Sequence, residues 1–227
     1  MTPGGRWAIV ALIIVGALIV AIWPRTESEP AETAASATRG QTAIEHPERR
    51  PADTPEALRG PRAEAQLQPC PQPQPQAPAP AARSALAALN DLDLGCLADG
   101  ERVDVSRMLA GKPAVINLWA YWCGPCAKEL PALQEYAASA GTAVTVITVH
   151  RDPNEANALR KLADYEVTLP GLQDGSGQVA GRLGAPNVLP VTIVLNADGS
   201  LAEILAVPFT SADEIRVAVE NALGGAA

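Results

Sequence analysis

The chain has 227 residues and carries 17 Lys and Arg against 25 Asp and Glu, a formal net charge of −8. No basic stripe is present to neutralise phosphates, so a nucleic-acid partner is excluded. Length alone would allow one or two domains, but shifts in composition confine the foldable part to residues 84–227.

After a short leader, residues 1–6, the run Trp7 to Trp23 (WAIVALIIVGALIVAIW) is apolar and free of charge. It reads as one transmembrane helix near the lower length limit, with a tryptophan at each interface. Arg6 precedes the run, whereas Arg25 is soon joined by Glu27 and Glu29, which places residues 1–6 in the cytoplasm and the bulk of the chain outside. The rival reading is a cleaved signal peptide, which needs a small-x-small site directly behind the apolar stretch. Ile22, Trp23, Pro24 and Arg25 occupy that place, and Ala35-Ser36-Ala37 lies too far downstream. Residues 24–83 are rich in Ala, Pro, Glu, Gln and Arg and poor in branched and aromatic residues, the composition of a disordered tether. Its last part, Pro69 to Ala82, favours polyproline II and a semi-rigid spacer.

The folded region opens with a hairpin, Leu94 to Ala98 and Arg102 to Val105, turning at Asp99-Gly100. Ser106 is placed to cap the helical turn that follows. Ala114 to Ala120 (AVINLWA) is almost wholly apolar and β-prone, as a strand buried on both faces must be. Beyond WCGPC, Leu130, Leu133 and Ala137 recur at helical spacing. Thr142 to Val149 is a second buried strand, and Asp152, Pro153 and Glu155 supply start signals for a helix to about Asp164. The Gly-rich stretch Tyr165 to Asn187 is irregular apart from a short helix around Gln178 to Leu183. Val191 to Leu195 and Leu201 to Val207 form a hairpin, and Ser211 with Glu214 boxes the start of a last helix that Gly224-Gly225 stops.

Cys123 and Cys126 fall where a buried strand hands over to a helix, so position assigns their roles. The unpaired N–H groups and positive dipole end favour the thiolate of Cys123, expected to be exposed, as the attacking sulfur. Cys126, one turn in, resolves the mixed disulfide. Gly124 removes bulk beside the sulfur, and Pro125 presets the helical φ. Other uses of such a pair fit less well. A structural staple over so small a loop constrains the unfolded chain little, and a zinc site needs a second knuckle that Cys70 and Cys96 do not form. Haem attachment requires a histidine where Ala127 stands. A soft-metal clamp for Cu(I) stays open as a carrier function.

The segment Gly111 to Pro131 (GKPAVINLWAYWCGPCAKELP) resembles the active-site segment of the TlpA-like family of bacterial envelope thioredoxin-like proteins, and the resemblance extends over about Leu94 to Leu223. The order βαβ then ββα agrees with the fold this implies, an α/β thioredoxin-like domain with a central mixed sheet flanked by helices. The resemblance implies a thiol-disulfide oxidoreductase that works by a redox-active disulfide, without a further cofactor or metal. Its partners would be protein thiols and disulfides of the cell envelope, including those of cytochrome c maturation. With no nucleotide-binding glycine motif in the chain, electrons for a reductase would come from a membrane donor. A disulfide-donating oxidase is the alternative direction.

The resemblance also implies that Pro190 is cis beside the dithiol, with Leu189 offering its backbone to substrate; read from sequence alone, it is equally an ordinary strand-start proline. Glu129, three residues beyond Cys126, matches a family glutamate and is a candidate proton acceptor, the bland reading being a solvated helix carboxylate. Asn117 stands where cytoplasmic thioredoxins carry a buried acid. Trp122 is expected to pack beside the sulfur, Trp119 in the core, and His150 to be structural. Cys70 and Cys96 fit either a structural disulfide pinning the tether to the hairpin or a relay pair for electrons from Cys126.

Overall fold

The computed structural model describes residues 53–73 and 84–224. Seven strands form one mixed sheet: β1 (Asp93–Cys96), β2 (Arg102–Asp104), β3 (Ala114–Trp119), β4 (Thr145–His150), β5 (Gly171–Gln173), β6 (Val191–Leu195) and β7 (Leu201–Leu205), in the order β2-β1-β5-β4-β3-β6-β7. Six α-helices accompany them among the described residues: α1 (Pro55–Ala65), α2 (Val105–Met108), α3 (Gly124–Ala140), α4 (Glu155–Asp164), α5 (Gln178–Leu183) and α6 (Ala212–Gly224). Pairing is parallel between β3 and β4 and between β4 and β5, and antiparallel elsewhere.

The apolar run of β3 is buried at all six positions because each face meets a different layer. Val115 and Trp119 join Leu130 and Leu133 of α3, Leu159 and Leu162 of α4, and Ile215 and Val219 of α6. Ala114, Ile116 and Leu118 join Val105 and Met108 of α2 and Val179 and Leu183 of α5. Strand propensity and two-sided burial thus act together to fix β3 in the middle of the sheet.

Several local expectations shift. Asp104, not Ser106, caps α2: its carboxylate accepts from Arg107 N at 3.0 Å and also binds the Ser106 hydroxyl at 2.9 Å. A carboxylate at a helix start also complements the helix dipole. The start of α4 is two residues later than its sequence signals suggest, with Asn154 rather than Asp152 at the cap position. The cap hydrogen bond comes instead from Asp53, whose Oδ1 accepts from Ala156 N at 2.8 Å. Strand β5 is absent from the sequence reading because three residues headed by glycine show no alternation. Its successor Asp174 is buried and accepts from Gln178 N and Val179 N, starting α5 where expected. At α6, Ser211 Oγ accepts from Glu214 N, but the Glu214 carboxylate binds Thr210 N at 2.8 Å.

The larger correction concerns the tether. Its part from Asp53 to Pro73 is built into the domain, whereas residues 24–52 and 74–83 lie outside the described residues. Thr54 caps α1 through Ala57 N, Pro55 opens the helix, Leu58 is fully buried, and Arg62 meets Glu155 of α4 at 2.7 Å. Gln68 N donates to Thr168 O at 2.8 Å, and Cys70 is disulfide-bonded to Cys96, 26 residues away in sequence. Two buried apolar side chains in eleven residues, with Gly60 and Pro61 inside, leave α1 little intrinsic stability. Packing on α4 supplies it. The expected anchor, residues 7–23, lies outside the described residues, and among the described residues no helix is long and apolar enough to cross a membrane.

This packing has measurable weight. Leu58→Ala is expected to lower the unfolding free energy by about 2–4 kcal/mol in a urea titration. Replacing both Cys70 and Cys96 by serine should cost about 3–4 kcal/mol. An unchanged midpoint for Leu58→Ala would mean that α1 contributes nothing to the domain.

Candidate active site

Strand β3 delivers the chain to the site. After Trp119, a turn closed by Cys123 N donating to Ala120 O at 3.0 Å places Cys123 at the cap of α3. Its Sγ accepts from Cys126 N at 3.2 Å, so the sulfur itself satisfies one of the helix's orphan donors. Pro125 sits in the first turn, where its missing N–H leaves nothing unsatisfied. Cys123 and Cys126 are joined in a disulfide.

The expectation of an exposed Cys123 needs correction: it is 7% exposed against 1% for Cys126. The disulfide folds its sulfur back over the helix end, leaving a narrow window beside exposed Gly124 and Pro125. The order of accessibility is nevertheless the expected one. The Leu189–Pro190 bond is cis, with Pro190 buried, Leu189 half-buried and Val188 51% exposed. Leu189 packs against the apolar cluster that contains both sulfurs.

Trp122 does not pack inward. It is 61% exposed, and its indole N–H donates to Asp152 Oδ2 at 3.0 Å. Burial would raise the Asp152 carboxyl, but donors from the Asn154 backbone, Trp122 and the Asn154 side chain, with His150 nearby, hold it below the usual carboxylate range. Asp152 O accepts from Gln173 Nε2 at 2.6 Å, so Gln173 Oε1 faces His150 Nδ1 at 2.9 Å, and His150 Nε2 accepts from Tyr121 N at 3.3 Å. The two partners fix the tautomer, with the proton on Nδ1. Burial lowers the imidazole pKa, opposed by Gln173, Asp152 and Asp53. His150 is therefore a structural strut, its ring tilted against that of buried Trp119 with centroids 4.9 Å apart, that ties the turn before Cys123 to β4 and β5.

Glu129 is fully buried, which removes the solvated-carboxylate reading. Burial pushes its carboxyl up from 4.5 to about 7, opposed by Asn117, the Thr192 hydroxyl and the Phe209 backbone. Of these, Thr192 Oγ1 donates to Oε1 at 3.3 Å, while Oε2 has no hydrogen-bond partner among the described residues. Asn117, fully buried, donates to Thr192 Oγ1 at 3.2 Å. Thr192 was missed by the sequence reading, although its place two residues past Pro190 on an inward-facing strand is a usable signal.

Cys70 and Cys96 are 5% and 1% exposed, and the register rules against a relay. Cys96 aligns with Leu172, Leu172 with Val149, and Val149 with Leu118. Three inter-strand steps of about 4.8 Å put Cys96 some ~14 Å from β3, far beyond disulfide exchange. The pair is a structural staple.

The topology and the helix-capping cysteine pair define a thioredoxin-like domain. Residues 85–204 match the AhpC/TSA family, and the chain belongs to that family. Its similarity to TlpA-like relatives bears out the resemblance read from the active-site segment. The thiol-disulfide oxidoreductase ResA of Oceanobacillus iheyensis is 32% identical over 112 residues, which is 46% of this chain and 57% of that protein. The chain thus spans little more than half the length of this curated relative. Among solved structures, a secreted Mycobacterium tuberculosis disulfide oxidoreductase homologous to E. coli DsbE aligns with a TM-score of 0.51 at 27% identity, covering 59% of this chain and 96% of that one. The MTB DsbF structure gives 0.53 at 27% identity, covering 60% and 97%.

Glu129 gives the site a pH signature. The folded carboxyl holds its proton up to about 7 while the unfolded one loses it near 4.5, so stability falls as pH rises through that window. Above it the buried charge costs about 3 kcal/mol. Glu129→Gln is expected to raise Tm at pH 8 and leave it nearly unchanged at pH 4.5. A difference independent of pH would show that the carboxyl does not titrate in this way.

Proposed function

We propose that the chain is an extracytoplasmic thiol-disulfide oxidoreductase, held to the cell membrane by residues 7–23, that reduces disulfides of envelope proteins. The observation that carries this reading is the Cys123–Cys126 pair at the head of α3, with the outer sulfur accepting a helix N–H and the inner one shielded. The relatives, thiol-disulfide and disulfide oxidoreductases by name, support the reaction class. The buried Cys70–Cys96 disulfide supports an oxidising compartment.

In the reduced state the Cys123 thiolate attacks one sulfur of a partner disulfide, forming a mixed disulfide and expelling the other sulfur as a thiolate that takes up a proton. Cys126 loses its proton to Glu129 and attacks Cys123 Sγ. The second partner thiol leaves, the proton departs with it, and the enzyme disulfide seen here results. Two electrons pass from the dithiol to the partner, and a membrane-bound dithiol donor restores them. The Gly-Pro pair between the cysteines resembles thioredoxin and favours this reducing direction, with apocytochrome thiols awaiting haem as a fitting substrate class.

Cys126→Ser should trap the partner on Cys123, and mass spectrometry of the adduct identifies it. If Cys123 carries no adduct and copper binds tightly at one equivalent without insulin reduction, the chain is a metal carrier instead. A reduction potential near or above about −150 mV against glutathione would reverse the assigned direction to that of an oxidase.

A further inference from the structure

Asn117 and Thr192 are register partners across β3 and β6, fully buried and nearly so, on the sheet face that meets α3. Their neighbours on that face, Val115, Trp119 and Val194, are apolar. Polar side chains there are costly unless bonded. Here the bonds form a directed chain. Asn117 Nδ2 donates to Thr192 Oγ1, and the single hydroxyl proton is then available to Glu129 Oε1.

The chain ends on one carboxyl oxygen only. Oε2 of Glu129 is buried and unpartnered among the described residues. No charged group among the described residues neutralises it. β3 presents Asn117, β6 presents Thr192, the segment before α6 presents the Phe209 backbone, and α3 itself presents Cys126 one turn earlier. Thr192 holds Oε1, so Oε2, with no hydrogen-bond partner among the described residues, is the more open oxygen for a proton.

We infer that Asn117 and Thr192 are positioning residues for Glu129, fixing Oε1 as the hydrogen-bonded oxygen and leaving Oε2 as the oxygen that takes the proton from Cys126. This rests on the exchange reaction proposed above. In that step the Cys126 S–H bond breaks and an Oε2–H bond forms. When Cys126 closes onto Cys123, the proton leaves with the departing partner thiolate.

The test compares Thr192→Val, which deletes the hydroxyl at constant shape, with Thr192→Ser, which keeps it. Two readings are taken on the full chain: the carboxyl 13C shift of Glu129 against pH, and the single-turnover rate of mixed-disulfide resolution against pH. Thr192→Val should move both inflections upward by about one pH unit, as expected for losing one hydrogen bond to a charge, and slow resolution about tenfold below the inflection. Thr192→Ser should keep both at the wild-type position. Asn117→Leu, which removes the first donor, should shift them the same way and serves if Thr192→Val does not fold. Exchange with coincident inflections for wild type and Thr192→Val overturns this inference alone, as does an equal shift in Thr192→Ser. A wild-type protein that exchanges with no disulfide overturns the reaction and the inference together.

Discussion

Everything at the site hangs on the burial of β3 between two apolar layers. Once Val115 and Trp119 are committed to one face and Ile116 and Leu118 to the other, the strand cannot slide by a residue without exchanging its faces. Its carboxyl end is then fixed, and so is the start of α3 a short turn later. The neighbours bring their chemistry to the same end. β4 runs parallel and ends at His150 opposite Trp119, whereas β6 runs antiparallel and begins at Val191 opposite Leu118. Cys123, the Asp152 network and the cis Pro190 meet there because of strand direction, not because of proximity in sequence.

That arrangement sets stability against function. An ordinary core would fill the space beside α3 with apolar side chains, but this one holds Asn117, Thr192 and a carboxylic acid. Glu129 has its proton affinity raised into the neutral range by the same burial that makes its charge costly. A group that binds and releases a proton near neutral pH suits a thiol reaction, in which one proton must leave for each attacking sulfur. The apolar packing of Leu130 and Leu133, adjacent on the same helix, offsets the destabilisation.

Most of the fold was legible because its signals are local. β3, β4 and β6 are continuous apolar runs, and the cysteine pair opens a helix with a plain period. The parts that were not legible depend on partners distant in sequence. Leu58 and Ala65 are too few to mark α1 as buried, yet Thr54, Pro55 and Glu56 form a helix start that composition alone obscured. The cap of α4 by Asp53 spans 103 residues, and no window along the chain contains both partners. At the site, spacing located Glu129 but not its environment. Whether a carboxylate three residues past a cysteine faces solvent or core is decided by the strand beneath it.

The small window over Cys123 bears on how disulfide exchange can take place. Disulfide exchange needs the attacking sulfur nearly in line with the bond being broken, so only one sulfur of the pair has to be reachable. Gly124 and Pro125 are exposed on one side of that window, and Val188 precedes the half-buried Leu189 on the chain leading to the cis proline. The indole of Trp122 is exposed yet held at its edge by Asp152, which is anchored through Gln173 and His150 to the core of the sheet. An exposed aromatic side chain fixed in place loses little entropy when a partner covers it, whereas a free one would have to be ordered at that moment. The struts beneath the turn thus hold both the fold and the exposed indole in place.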